Sequence, residues 1–260
     1  MKQMQIPNPW SGAPVYYRRI TTSTMEDARR LFSAGCVDGT VVVADFQERG
    51  RGRIPERSWI AEAGRNLLFT LVLRSRSGTD GFAAAGAHQR LPLLAGLALA
   101  LSIEGLYGLS VQLKWPNDLL VEGKKLAGIL CEALAEGNNL GVLIGIGLNC
   151  NQLRFANQLG LTATSLAHIL GREVNPPEIL AAVLPTVKSC LADGEWHAKV
   201  VQRLYGLNRV AYLVAPPQSI TKQGVIRGLN HDGSLLFQPD GHSEAIAVYG
   251  GEVRFAAEEF

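Results

Sequence analysis

The stretch Val111 to Asn149 reads VQLKWPNDLLVEGKKLAGILCEALAEGNNLGVLIGIGLN. Val111–Trp115 and Leu119–Val121 are two strand pieces, broken at Pro116-Asn117-Asp118. Lys125–Ala135 is a further strand, and Leu140–Leu148 is too rich in glycine for a comfortable helix. These strands follow one another through short turns, which favours antiparallel neighbours. Upstream, Leu91–Tyr107 is apolar nearly all round and predicts a buried helix. Asn66–Leu73 and Thr40–Ala44 predict strands. Thr22-Ser23-Thr24 before Met25–Phe32 is a helix start, with Gly35 as its stop. Downstream, Pro176-Pro177 opens a helical stretch to about Leu204, which Pro185 is expected to kink or break.

Beyond Leu204 the pattern changes to five short strands, Arg209–Val214, Gln223–Leu229, Ser234–Gln238, Glu244–Val248 and Glu252–Phe255. Five such strands in so short a segment suggest a small barrel. The expected architecture is therefore α+β: a mixed, largely antiparallel sheet with helices over residues 1–204, then a small β-domain over 205–260.

Composition bounds the function. The chain has 260 residues, 47% apolar and 18% charged, which suffices for a sizeable core and excludes wholesale disorder. The net charge of +2 is too small to argue for nucleic acid. It is uneven: residues 204–260 carry four Lys/Arg against six Asp/Glu, leaving +4 on residues 1–203. An anionic ligand belongs to the larger part. Cys36, Cys131, Cys150 and Cys190 form no Cys-x-x-Cys pair and read as reduced thiols of a cytoplasmic protein. Met1–Trp10 is polar and broken by proline, unlike a signal peptide. The apolar run Leu91–Leu101 is shorter than the ~20 residues of a membrane span. The five histidines are scattered, so no zinc motif is present, and there is no Gly-x-Ser-x-Gly elbow.

Four short motifs could carry chemistry. Gln47-Glu48-Arg49-Gly50-Arg51-Gly52-Arg53 directly follows a strand. Its glycines could present backbone N–H groups to an anion, and its arginines add forked donors for carboxylate or phosphate. The same pattern describes a solvated basic loop or an RNA contact. Lys114-Trp115-Pro116-Asn117-Asp118 leaves amide groups for a nucleobase edge, or is a simple bulge or turn. Lys125, three residues before Gly128, could hold a phosphate against bare backbone, or be a solvated lysine. Ser23-Thr24 caps a helix and suits a small polar head group equally well.

Taken in order, these motifs resemble the biotin–protein ligases of the biotin–[acetyl-CoA-carboxylase] ligase type. That family shows Ser-Thr-Asn, Gln-x-x-Gly-Arg-Gly-Arg with a following Trp, Gly-x-Asn-Leu, Lys-Trp-Pro-Asn-Asp, Lys-x-x-Gly-Ile-Leu-x-Glu and Gly-x-Gly-x-Asn. Here they read Ser23-Thr24, Gln47 with Gly50–Arg53 and Trp59, Gly64–Leu67, Lys114–Asp118, Lys125–Glu132 and Gly145–Asn149. Two departures stand out. Met25 replaces the usual Asn. The arginine loop, continuing Ile54-Pro55-Glu56-Arg57-Ser58-Trp59, is one residue longer and lacks a later glycine.

The resemblance implies a class II synthetase-like catalytic fold and an SH3-like C-terminal barrel. It implies an enzyme that joins biotin and ATP into biotinyl-5′-AMP, assisted by Mg²⁺. Biotin then passes to a lysine of the carrier domain of a biotin-dependent carboxylase. Arg51, Arg53 and Lys125 are the implied catalytic cations. Ser23, Thr24, Met25, Gln47, Gly52, Gly128 and Ile129 join them at biotin. Trp59, Lys114, Asn117, Asp118 and Asn149 join them at the adenylate, and no protein cluster is expected to bind metal. The resemblance implies a homodimer with no membrane role, and a single-function ligase without a DNA-binding domain is expected, since only about 20 residues precede Ser23-Thr24. The rivals are a lipoate or octanoate ligase of the same fold, a biotin sensor whose altered loop has abolished turnover, and a nucleic-acid binder using Arg49–Arg57.

Overall fold

The computed structural model describes residues 1–54, 57–75, 87–155, 162–215 and 220–255. Eight strands form one sheet: β1 (Lys2–Met4), β2 (Val15–Thr21), β3 (Val41–Gln47), β4 (Leu67–Ser75), β5 (Gln112–Lys114), β6 (Asp118–Val121), β7 (Lys124–Glu136) and β8 (Asn139–Leu148). Their order is β1-β2-β3-β4-β8-β7-β6-β5. All neighbours are antiparallel except β2 and β3. Those two are parallel because helix α1 (Thr24–Ser33) crosses between them. The 111–149 stretch folds as read, with all of β8 paired to Ala127–Glu136 of β7.

Strand alternation sorts residues to two faces. Phe69 and Leu71 of β4 and Ile144, Ile146 and Leu148 of β8 enter the main core. That core is closed by α2 (Ala87–Tyr107) and α4 (Pro176–Leu191). On the other face Met25, Ala28 and Phe32 of α1 pack on Val42, Val72, Leu134 and Leu143. Each of these side chains except the small Ala28, fully buried, contributes about 1.5–3 kcal/mol. α1 covers only part of this face, and what lies past its N-terminus is left for a site.

Three expectations need correction. β1 and β2 were not expected: Met1–Trp10 holds a short edge strand, and Val15–Thr21 is a charged strand whose periodicity is weak. Pro185 does not break its helix. It lies on the exposed side, while Ile179, Val183, Leu184, Val187 and Cys190 hold the buried stripe. The break comes at Ala192–Glu195, where Asp193 accepts from Glu195 N (2.9 Å) and from Lys199 Nζ (2.6 Å) as α5 (Trp196–Gln202) begins. The apolar run also proves longer than expected. Residues 89–107 of α2 have the length and hydropathy of a membrane span. Leu91, Leu97, Leu99 and Ile103 are at most 1% exposed, so the core accounts for that apolarity. The short helix α3 (Leu166–Leu170), capped by Ser165, is a further addition.

Strands β9 (Val210–Ala215), β10 (Ile220–Leu229), β11 (Leu235–Pro239), β12 (Ile246–Val248) and β13 (Glu252–Arg254) form a second, antiparallel sheet in the order β12-β11-β10-β9-β13. The apolar core runs unbroken into it, joining Leu113, Trp115 and Leu204 to Leu213, Phe237 and Phe255. Trp115 Nε1 donates to Gly233 O at 3.1 Å across the junction.

Candidate active site

The part of the α1-side face past the N-terminus of α1 has a floor of glycines, on which Met25 and the Trp59 ring rest. Gly128 of β7 pairs with Gly147 of β8, and Thr70 of β4 pairs with Gly145 of β8. A Cβ on Gly145 would meet Met25 Sδ at 2.7 Å. One on Gly147 or Gly128 would meet the Trp59 ring at 2.5 or 3.0 Å. Any larger residue would therefore displace what lies on the floor.

One end of this cleft is neutral and polar. Gln47 Oε1 accepts from both Thr24 N (2.8 Å) and Thr24 Oγ1 (3.0 Å). Thr24 Oγ1 in turn accepts from Thr70 Oγ1 at 2.8 Å. The other end is cationic. Lys125 lies against Gly128, with Nζ 2.7 Å from Asp118 Oδ1 and 5.7 Å from the Trp59 ring centre. Arg51 Nη2 lies 3.2 Å from Glu132 Oε1, and Arg29 of α1 pairs with the same carboxylate.

The arginine loop bridges the two sheets. Gly52 N donates to Arg57 O (2.9 Å) and Trp59 N to Gly50 O (3.0 Å), so the segment doubles back on itself. Arg53 Nη2 reaches Gly251 O of the second sheet at 2.7 Å, and Arg57 pairs with Glu252. Burial draws the Arg53 pKa below its ordinary value, opposed by the Glu252 and Asp118 charges. Trp59 Nε1 is buried with no hydrogen-bond partner among the described residues.

The structure thus gathers Thr24, Gln47, Arg51, Arg53, Trp59, Asp118, Lys125 and Gly128 around one cleft. It places other expected residues differently. Ser23 is 1% exposed, and its hydroxyl accepts from Met25 N as the cap of α1. Met25 is a core residue resting on Gly145. Ile129 turns its side chain into the main core, and Asn117 engages both its N–H (2.9 Å) and its carbonyl (2.8 Å). That same bond commits the Asn117 amide. Asn149, 4% exposed, donates to Thr164 O at 2.9 Å. Lys114 Nζ lies 5.7 Å over the Phe255 ring, at the junction of the sheets. Gly52 gives its N–H to its own loop, so it offers no anion nest. Pro55 and Glu56 lie outside the described residues. Glu132, Glu252 and Thr70 were not singled out. Glu132 closes a quoted motif, a signal that was available. Glu252 lies far from every motif in sequence, and Thr70, three residues past Gly64–Leu67, falls in the apolar run of a strand that periodicity assigns to packing.

A sheet with a glycine floor, polar at one end and cationic at the other, suits a small ligand with a polar head held beside an anion. Residues 16–149 match the Biotin/lipoate A/B protein ligase family, and the chain belongs to it. The chain is 32% identical over 234 residues to the Bifunctional ligase/repressor BirA of Bacillus spizizenii, covering 87% of this chain and 70% of that protein. It is 32% identical over 228 residues to the Biotin–[acetyl-CoA-carboxylase] ligase of Paracoccus denitrificans, covering 84% and 91%. The Aquifex aeolicus biotin protein ligase, solved in complex with biotin and ATP, superposes with a TM-score of 0.76 at 26% identity over 92% of this chain and 97% of that one.

Proposed function

We propose that this chain is an ATP-dependent biotin–protein ligase. Biotin's carboxylate attacks the α-phosphorus of ATP, giving biotinyl-5′-AMP and pyrophosphate. The ε-amine of a lysine on a carboxylase's biotin carrier domain then takes the acyl group, and AMP leaves. The observation that carries this reading is the two-ended cleft: Thr24 and Gln47 suit a polar head group, while Arg51, Arg53 and Lys125 suit a carboxylate beside a phosphate.

Such a reaction needs positioning and charge neutralisation more than covalent catalysis. Lys125 is assigned to the bridge between carboxylate and α-phosphate. Its ion pair with Asp118 keeps it extended beside Gly128 and hands it to a stronger anion when one arrives. Arg51 and Arg53 are assigned to the developing charge and to closure over the adenylate. Trp59 supports them from the floor. Among the described residues no three His, Cys, Asp or Glu side chains stand together as a metal site. Mg²⁺ would be held chiefly by the nucleotide's phosphates, with Asp118 as the residue offering a carboxylate, a division of ligands Mg²⁺ commonly uses. When bound it would supply neutralisation of the departing pyrophosphate. A homodimer and a cytoplasmic location are part of the proposal; the four cysteines, all unpaired, support the latter.

The test is biotin-dependent exchange of labelled pyrophosphate into ATP, with lipoate and octanoate as controls. Exchange with biotin alone supports the reading. Exchange with lipoate or octanoate alone would transfer the assignment to the acyl-ligase branch. Biotin binding without exchange would make the protein a sensor.

A further inference from the structure

We infer that Thr70, outside every motif, is a positioning residue that sets the polar end of the cleft to accept an N–H from the ligand, acting through Thr24. The inference rests on the biotin-ligase reading for the identity of that ligand.

Thr70 lies in the middle of β4, between Val42 of β3 and Gly145 of β8, and is 0% exposed. Val42 and Val72, on the same face, show that an apolar β-branched residue packs well there. A hydroxyl buried at such a place needs a partner, and its partner is Thr24 Oγ1 at 2.8 Å.

The direction of each bond follows from counting protons. Gln47 Oε1 accepts from the Thr24 backbone N–H, so that atom is the amide oxygen rather than the nitrogen. Thr24 Oγ1 must then donate its one proton to the same oxygen. Having no second proton, Thr24 can meet Thr70 only as an acceptor. Thr70 therefore donates, and it occupies one of the two lone pairs of Thr24 Oγ1.

What remains on Thr24 is a single lone pair and no proton. Thr24 can thus pair with an N–H of the head group and not with a carbonyl. This favours a cyclic urea or lactam N–H, such as biotin's ureido group. Without Thr70 the Thr24 proton would still go to Gln47, but two lone pairs would be open and the hydroxyl would be anchored at one point instead of two, so part of the ligand's affinity would go into ordering it. Met25 Sδ, the neighbour on Gly145, has no proton with which to substitute.

The experiment compares wild type with Thr70→Val and Thr70→Ser. Biotin Kd is measured by calorimetry, and the KM values for biotin and ATP by pyrophosphate exchange. Thr70→Val is expected to weaken biotin binding and raise the biotin KM by about 5- to 10-fold, as for one net hydrogen bond. The ATP KM and the kcat at saturating biotin should stay within about twofold. Thr70→Ser should restore biotin binding. If valine prevents folding, Thr70→Ala carries the same expectation. The inference is overturned by unchanged biotin binding in Thr70→Val, by equal losses for biotin and ATP, or by no recovery in Thr70→Ser. A wild type that binds biotin without exchange would defeat the ligase reading alone, and the Kd comparison would still judge Thr70. A wild type that does not bind biotin defeats both.

Discussion

Lys125 meets Asp118 at 2.7 Å with both side chains partly exposed, so its ammonium is held extended yet open to an incoming phosphate. Thr24 and Gln47 are similarly committed to each other before any ligand arrives. Lys125→Ala should lower pyrophosphate exchange by about 100- to 1000-fold, the usual loss when one charge-stabilising donor is removed. Its circular dichroism should match wild type, and near-wild-type exchange would refute the assignment. The thiols make a separate case. Burial pushes Cys150 up to about 12 and Cys190 up to about 11. Their protonated forms are favoured by folding, so this contribution to stability is complete below the ordinary thiol pKa of about 8.5. It declines as pH rises through 9 toward 12. At pH 7.5 both should resist thiol reagents in the native protein and react on denaturation. Rapid native labelling at either position, seen by peptide mapping, would contradict their burial.

At the scale of elements, the arginine loop is held from two sides. Glu132 of β7 holds Arg51, while Gly251 O and Glu252 of the second sheet hold Arg53 and Arg57. Arg51→Ala should raise the off-rate of biotinyl-AMP by about 10-fold or more, the scale of one charge-assisted hydrogen bond. An unchanged off-rate would remove loop closure from the mechanism. α4 offers a test of a different kind. A proline in a helix interior typically costs about 3 kcal/mol relative to alanine. Pro185 is exposed, so Pro185→Ala should restore a backbone hydrogen bond without disturbing the buried stripe. A gain of about 1–3 kcal/mol in a urea titration is expected, and a loss would mean that the proline shapes the packing of α4 on α2. The helix was legible from Pro176-Pro177 onward, but its continuity was not. Sequence reading weighs the proline locally, whereas the six buried side chains of α4 outweigh it through packing.

On the scale of the whole molecule, the two sheets share a single apolar core. Trp115 and Leu204 of the larger part pack with Phe255 of the smaller, and Trp115 bonds Gly233. A single calorimetric unfolding transition is therefore expected, although the chain changes from one sheet to the other after α5. Two separated transitions would show the β-domain to be energetically independent.

The sequence by itself determined much of this protein. Its local hydrophobic pattern marked the strands from Val41 onward, the apolar α2 and the five short C-terminal strands. Its motif order marked the cleft, because Gln47, Arg51, Arg53, Lys125 and Gly128 are each tied to a strand end that periodicity reveals. Tertiary structure alone decided three things. It turned Ile129 and Met25 into the interior, since strand alternation and helix periodicity name a side chain's face but not what packs against that face. It committed the amides of Asn117 and Asn149 to carbonyls 12 and 15 residues away. It also brought Thr70 to Thr24 and Glu252 to Arg57, 46 and 195 residues apart. Hydrogen bonds and ion pairs act over a few ångströms of space and carry no trace in local sequence, so only the folded chain can reveal them.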